Sequence, residues 1–113
     1  MAPEIIEGKA YKGTSVDMFA LGVVLFAMVT GVMPFDKRAH KDDQLYCYLI
    51  RNDDSGYWQN LEKMYGQETY FLGVKNLSDD FKKFILLFFK YHYFERATLE
   101  QIKVSQWLGS KSV

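Results

Sequence analysis

An all-α fold is what this sequence predicts, on three observations. Met18 to Phe35 is an apolar run without a charged residue, stopped by Gly31 and Pro34. Phe81, Phe84, Ile85 and Phe88 recur at i, i+3, i+4 and i+7 behind Ser78, the spacing of one helix face. No stretch shows the apolar and polar alternation of a half-buried strand, so the expected architecture is four or five helices joined by loops.

The elements follow in chain order. Thr14 with Asp17 three residues on matches the hydroxyl-x-x-carboxylate capping pattern and places a negative charge at the positive end of a helix dipole. A helix of about fifteen residues, ~22 Å long, is therefore expected from Val16 to Thr30, with Gly31 as its stop. Asp42 or Asp43 caps a second segment in which Leu45, Tyr48 and Leu49 share a face, ending in the turn-forming cluster Asn52 to Gly56. Tyr57, Leu61, Met64 and Tyr65 share the face of a third, short helix that Gly66 interrupts, and Gly73 sits in a loop running to Asn76. Ser78 as cap, with Asp79 and Asp80 in the first turn, opens the strongest amphipathic signal, broadened by Leu86, Leu87 and Phe89. Thr98 and Gln101 form a second capping box ahead of Leu99, Ile102, Trp107 and Leu108, and Gly109 ends that helix before a polar tail, residues 109–113.

Composition narrows the function classes. Hydrophobic residues make 49% of the 113 and aromatics 17%, enough for one packed core and too much for a disordered chain. Fourteen basic residues balance fourteen acidic ones, so no net field favours nucleic acid or an anionic membrane. Cys47 is the only cysteine and cannot close an internal disulfide, which fits a reducing, cytoplasmic setting. No signal-peptide pattern precedes the apolar run. A helix of ~22 Å falls short of a hydrocarbon core of about 30 Å, so a buried core helix is expected and a membrane span is not.

Candidate chemistry is sparse. One cysteine and two scattered histidines, His40 and His92, do not make a zinc set, and neither Ser105 nor Cys47 stands beside a base. The eight glycines are dispersed, with no Gly-x-Gly-x-x-Gly and no P-loop to cradle phosphate. Lys37, Arg38, His40 and Lys41 form a small basic patch that Asp36, Asp42 and Asp43 offset, reading as a solvated loop.

Several motifs in order point further. Ala2-Pro3-Glu4 is followed by Asp17-Met18-Phe19-Ala20-Leu21-Gly22, then Thr30-Gly31 and Pro34-Phe35, and finally Phe94-Glu95-Arg96-Ala97-Thr98-Leu99 and Trp107-Leu108. This series resembles the C-terminal lobe of the eukaryotic protein kinase domain, from its Ala-Pro-Glu triplet through its Asp-x-Trp-Ser-x-Gly helix to its terminal Arg segment. The resemblance runs from Met1 to Leu108, residues 1–108, and its element order looks closest to serine/threonine kinases of the calcium/calmodulin-dependent type. Phe19 and Ala20 stand for Trp and Ser, His92 and Tyr93 for the usual Asp-Pro, and Ser105 and Gln106 for a His-Pro.

The resemblance implies structural roles for Ala2, Pro3, Glu4, Asp17, Gly22 and Arg96. Glu4 and Arg96 would form a tethering ion pair, and the Asp17 carboxylate would receive the catalytic-loop backbone. It implies possible substrate or partner docking at Tyr57, Trp58 and Tyr65, against the alternative that these aromatics anchor their helix to the core. The parent activity it implies is transfer of the ATP γ-phosphate to protein serine or threonine, with ATP and magnesium bound by the intact kinase. The motifs for that chemistry, His-Arg-Asp, Asp-Phe-Gly and the strand lysine, are not in these residues, so no cofactor and no catalysis are expected of this chain alone. Its partners would be the rest of the kinase domain and a protein substrate. The alternatives are a pseudokinase-like regulatory module and an unrelated helical interaction domain. A central helix apolar on every side needs neighbours on every side, so exposure beside Phe19, Val23, Phe26 and Val29, and self-association, are expected of the isolated chain.

Overall fold

The computed structural model describes residues 1–9, 13–98 and 100–101. Its α-helices are α1 (Pro3–Ile6), α2 (Gly13–Thr30), α3 (Tyr46–Ile50), α4 (Asp54–Tyr65) and α5 (Asp79–Leu86), with 3-10 turns at Val74–Asn76, Leu87–Phe89 and Tyr93–Glu95. Among the described residues there is no strand, as the missing alternation predicts.

The central helix is α2, and it starts earlier than its capping pattern suggests. Thr14 lies one residue inside the helix and Asp17 falls beyond the first turn, so the Thr14–Asp17 box does not form. At 18 residues it is long and apolar enough by composition to cross a membrane, so length alone does not separate it from a span. What marks it as a core helix is the stripe Phe19, Gly22, Phe26 and Thr30, all buried within the chain.

That stripe meets an aromatic cluster. Phe19 packs against Phe35, Tyr46 and Phe89, with ring centroids 6.3, 6.2 and 5.5 Å away. Phe26 stacks on Trp58 at 6.1 Å and meets the edge of Phe89 at 5.9 Å. The expected exposure beside Phe19, Val23, Phe26 and Val29 is therefore on the wrong face: Phe19 and Phe26 are buried, and Val23 and Val29 are half-buried. The open side is the opposite one, where Leu21, Val24 and Met28 are 42, 54 and 76% exposed.

Two glycines of α2 do specific work. Gly22 is where Leu87–Phe89 crosses closest, since a Cβ there would collide with the Cβ and Cγ of Phe88. Gly31 ends the helix at φ +86°, with its N–H donating to Ala27 O and the Tyr70 carbonyl lying where a Cβ would be. The Leu72 N–H then caps Thr30 O at 2.9 Å.

The loop after α2 is organised by Asp43. Its buried carboxylate accepts the N–H groups of Asp36, Lys37, Arg38, Leu45 and Tyr46 at 2.7 to 3.1 Å. Neither aspartate is the N-cap of α3, which is Leu45, but Asp43 takes the amides of Leu45 and Tyr46 at its start, while Asp42 stays in solvent beside His40. Helix α4 begins at Asp54, capped by the Asp53 side chain, which accepts from Gly56 N at 3.0 Å. Gly56 is thus helical rather than the end of a turn, and its missing side chain leaves room for Asp53 and Tyr48.

Helix α5 has the expected cap, Ser78 Oγ accepting from Phe81 N at 3.1 Å, and buries Phe81, Phe84 and Ile85. It stops at Leu86, so Phe88 and Phe89 reach the core from a 3-10 turn rather than from α-helix. The Leu87 carbonyl is taken by the Ala97 amide at 2.8 Å, which the tighter turn makes available. The second capping box does form: Thr98 N donates to Gln101 Oε1 at 2.9 Å and Gln101 N to Thr98 Oγ1 at 3.3 Å. Leu99, Ile102, Trp107, Leu108 and Gly109 lie outside the described residues.

Candidate functional site

The distinctive site is built around Glu4 and Arg96, which are 92 residues apart. Ala2 caps α1, its carbonyl accepting the amides of Ile5 and Ile6, and Pro3 presets the first helical residue. This turn directs Glu4 inward. Arg96 follows the 3-10 turn Tyr93–Glu95 in extended backbone and points back toward α1.

The pair is bidentate: Arg96 Nη1 and Nη2 donate to the two carboxylate oxygens of Glu4, each at 2.5 Å. The Arg96 side chain is 0% exposed and that of Glu4 7%. The remaining guanidinium donors go to backbone, Nε to Lys90 O at 2.8 Å, Nη2 to Tyr91 O at 3.1 Å and Nη1 to Ser15 O at 3.3 Å. All five N–H groups therefore have an acceptor, the condition for a buried guanidinium to be tolerated. Its Cζ also lies 5.1 Å from the centroid of the Phe19 ring. Burial alone would raise the Glu4 pKa, but the Arg96 hydrogen bonds and charge outweigh it and hold the carboxyl below its ordinary range. One side chain thus joins α1, the start of α2 and the loop after α5.

A second contact, not evident in the sequence, runs alongside. The Tyr91 hydroxyl lies 2.7 and 2.8 Å from the two Glu7 oxygens, and Lys9 Nζ reaches both Glu7, at 2.8 Å, and Tyr91 Oη, at 3.2 Å. Hydrogen bonds from Lys9 and Tyr91 depress the Glu7 pKa. Its partners come from distant loops with no shared motif, so spacing does not reveal it. The Asp43 hub is hidden in part: spacing offers Asp43 as a cap for the following helix, but not as the acceptor of the Asp36, Lys37 and Arg38 amides.

The other expected residues are placed as follows. Asp17 is exposed and lines a cleft of about 530 Å³ with Thr14, Ser15, Met18, Tyr93 and Phe94. Gly22 is buried at the α2 crossing described above. Tyr57 and Trp58 are buried, Tyr57 Oη donating to Pro34 O and Trp58 stacking on Phe26, so they anchor α4 and are not open to a partner. Tyr65 is half-buried against Phe71.

Among the described residues no group of three or more His, Cys, Asp or Glu is arranged to hold a metal ion. Asp80-Phe81 sits in the first turns of α5, with Phe81 in the core, and cannot act as a magnesium motif.

Comparison with known proteins agrees with this geometry. The family model of the protein kinase domain matches residues 1–108. The chain is 33% identical over 108 residues to serine/threonine-protein kinase chk-1 of Caenorhabditis elegans, covering 94% of this chain and 18% of that protein. It is 31% identical over 107 residues to the probable serine/threonine-protein kinase MARK-B of Dictyostelium discoideum, covering 95% and 13%. Over 55 residues it is 47% identical to the human NUAK family SNF1-like kinase 1, covering 49% and 7%. The chain thus spans less than a fifth of the length of these relatives. With the family model matched across residues 1–108 and a relative 33% identical over 94% of the sequence, the chain belongs to the protein kinase domain family, of the serine/threonine type.

Proposed function

We propose that these residues supply the structural and protein-docking part of a serine/threonine kinase catalytic domain, with residues 1–108 as its helical lobe and 109–113 as a tail. The observation that carries this reading is the face of α2 formed by Leu21, Val24 and Met28, apolar and open on a helix whose opposite side buries Phe19, Gly22, Phe26 and Thr30. A soluble domain does not leave its central helix half bare, so the rest of the kinase domain is the partner that covers it. ATP and magnesium bind that other part, where the lysine, base and metal ligands of phosphoryl transfer belong. The Glu4–Arg96 pair holds the end of the activation segment to this lobe, and Asp17, open at the head of α2, receives backbone from the covering part. Substrates are proteins, and the setting is cytoplasmic.

The test is the apolar face of the purified chain. An environment-sensitive dye should bind, and the chain should self-associate on size exclusion. Val24→Lys with Met28→Lys should abolish both while leaving the helical signal intact, because neither side chain belongs to the core. A monomeric, dye-negative wild type rules the reading out.

A further inference from the structure

We infer that the exposed aromatic ridge of Tyr93 and Phe94, with Glu95 and Glu100 beside it, is a docking surface for an arginine-bearing protein segment. The inference goes beyond the lobe reading, and it concerns a stretch in which this chain departs from the family pattern, His92 and Tyr93 standing where Asp-Pro is usual.

The ridge is open to solvent and held in shape. Phe94 is 72% exposed and Tyr93 42%, both on the 3-10 turn Tyr93–Glu95. Glu95 N donates to His92 O at 3.0 Å and Arg96 N to Tyr93 O at 3.3 Å, which closes the turn. The residues that follow pin it to the core: Arg96 is buried with all its donors satisfied, and Ala97 N donates to Leu87 O at 2.8 Å. Within the ridge His92 stacks on one face of the Phe94 ring, centroids 5.2 Å and planes 16° apart, and Tyr93 meets Phe94 at 81° with centroids 5.6 Å apart. A ring stacked on one side and still 72% exposed presents its other face to solvent. An aromatic platform fixed in this way loses little conformational freedom when a partner lands on it.

Charge decides what that partner is. The ridge forms one wall of the cleft of about 530 Å³ whose opposite wall is the start of α2, with Met18 on it and Glu100 at its rim. The only cation lining this cleft among the described residues is Arg96, which is 0% exposed and committed to Glu4. On the far side of the ridge Lys9 is held by Glu7 at 2.8 Å. Glu95 and Glu100 are exposed, and among the described residues neither has an ion-pair partner. The surface is therefore aromatic and anionic, with negative charge left over even when Asp17 is reserved for the covering part. A guanidinium complements both features, since it lies flat on an aromatic face and forks onto a carboxylate, while an ammonium makes only a point contact. Apolar neighbours of that arginine have Met18 to lie against.

The test uses the full chain and labelled hexapeptides in which Leu alternates with Arg, Lys, Gln or Glu, read by fluorescence anisotropy. The Arg peptide should bind tightest, the Lys peptide less tightly and the other two least, with the Arg affinity falling as salt is added. Phe94→Ala with Glu100→Gln should weaken the Arg peptide about tenfold, and because Phe94 is largely outside the core the far-UV circular dichroism should not change. Tyr70→Ala with Glu68→Gln removes an exposed aromatic and an exposed carboxylate elsewhere on the surface and should alter affinity less than about twofold. Equal binding of the Arg and Gln peptides would leave only apolar adhesion and overturn the inference. Equal binding of the Arg and Lys peptides, equal loss in the two double variants, or no binding of the Arg peptide would overturn it as well.

Discussion

Replacing Arg96 with methionine gives the sharpest test of the tether. Methionine keeps much of the apolar stem but removes the guanidinium over Phe19 and all five donors, leaving Glu4 at 7% exposure and the carbonyls of Lys90, Tyr91 and Ser15 without this partner. Breaking a buried pair in this way costs about 3–5 kcal/mol, and each orphaned carbonyl adds about 1 kcal/mol where water cannot reach it. Against a domain stability of roughly 5–15 kcal/mol, a loss of that size moves the thermal midpoint by about 12–35 °C or unfolds the chain. The assay is urea denaturation followed by far-UV circular dichroism at a series of pH values, because the sign of the pH dependence is more diagnostic than the size of the loss. In the wild type the folded Glu4 pKa is lowered from an ordinary value of 4.5, so its contribution is present above pH 4.5 and is lost as pH falls through the folded value. In Arg96→Met, burial is opposed only by a backbone hydrogen bond at Glu4 and raises its pKa, so stability is greatest at low pH and declines as pH rises through the raised value. The difference between wild type and variant should therefore widen from pH 4 upward. A loss below about 1 kcal/mol, with parallel pH profiles, would mean an exposed pair and refute the reasoning. Exchanging the two charges, Glu4→Arg with Arg96→Glu, should not restore stability, since a carboxylate at 96 would face the three carbonyl oxygens that the guanidinium now satisfies.

Three other substitutions probe the surroundings. Gly22→Ala should destabilise by about 1–3 kcal/mol in the same denaturation assay, because the collision with Phe88 exceeds the roughly 1 kcal/mol gained in helix propensity. Asp43→Asn should cost about 2–3 kcal/mol, since an amide has one acceptor oxygen for five converging N–H groups, and it should speed hydrogen exchange at Lys37 and Arg38. Although burial would raise the Asp43 pKa, the amide donors outweigh it and keep it below its ordinary 3.8, so wild-type stability drawn from Asp43 should persist to pH 4 and be lost only below that, as pH falls through the folded value. Tyr91→Phe should cost about 1 kcal/mol by removing the hydroxyl between Glu7 and Lys9, with the Glu4–Arg96 pair undisturbed.

What was readable in the chain divides by distance along it. The α5 cap at Ser78, the Thr98–Gln101 box and the stop at Gly31 all involve residues within a few positions of one another, and all are present. Where local signals failed, long-range packing overrode them. Helix α2 runs through its apparent Thr14 cap, and α5 yields to a 3-10 turn at Leu87 because Phe88 and Phe89 have to reach α2, whereas α4 takes in Gly56 for a local reason, the Asp53 cap on its amide.

Glu4 and Arg96 were paired through family resemblance, which holds information from many chains that spacing in one does not. That resemblance could name the two residues but not the three backbone carbonyls that complete the guanidinium, nor the Glu7–Tyr91–Lys9 contact beside it. By itself the sequence determined the helical class, the caps at Ser78 and Thr98 and the apolar character of α2, because periodicity and turn chemistry are properties of neighbouring residues. Only the tertiary structure decided which side of α2 is covered, which of two aspartates organises the loop after it, and that Tyr57 and Trp58 face inward. Those outcomes depend on which distant groups compete for the same space and the same hydrogen bonds, and that competition exists only once the chain has folded.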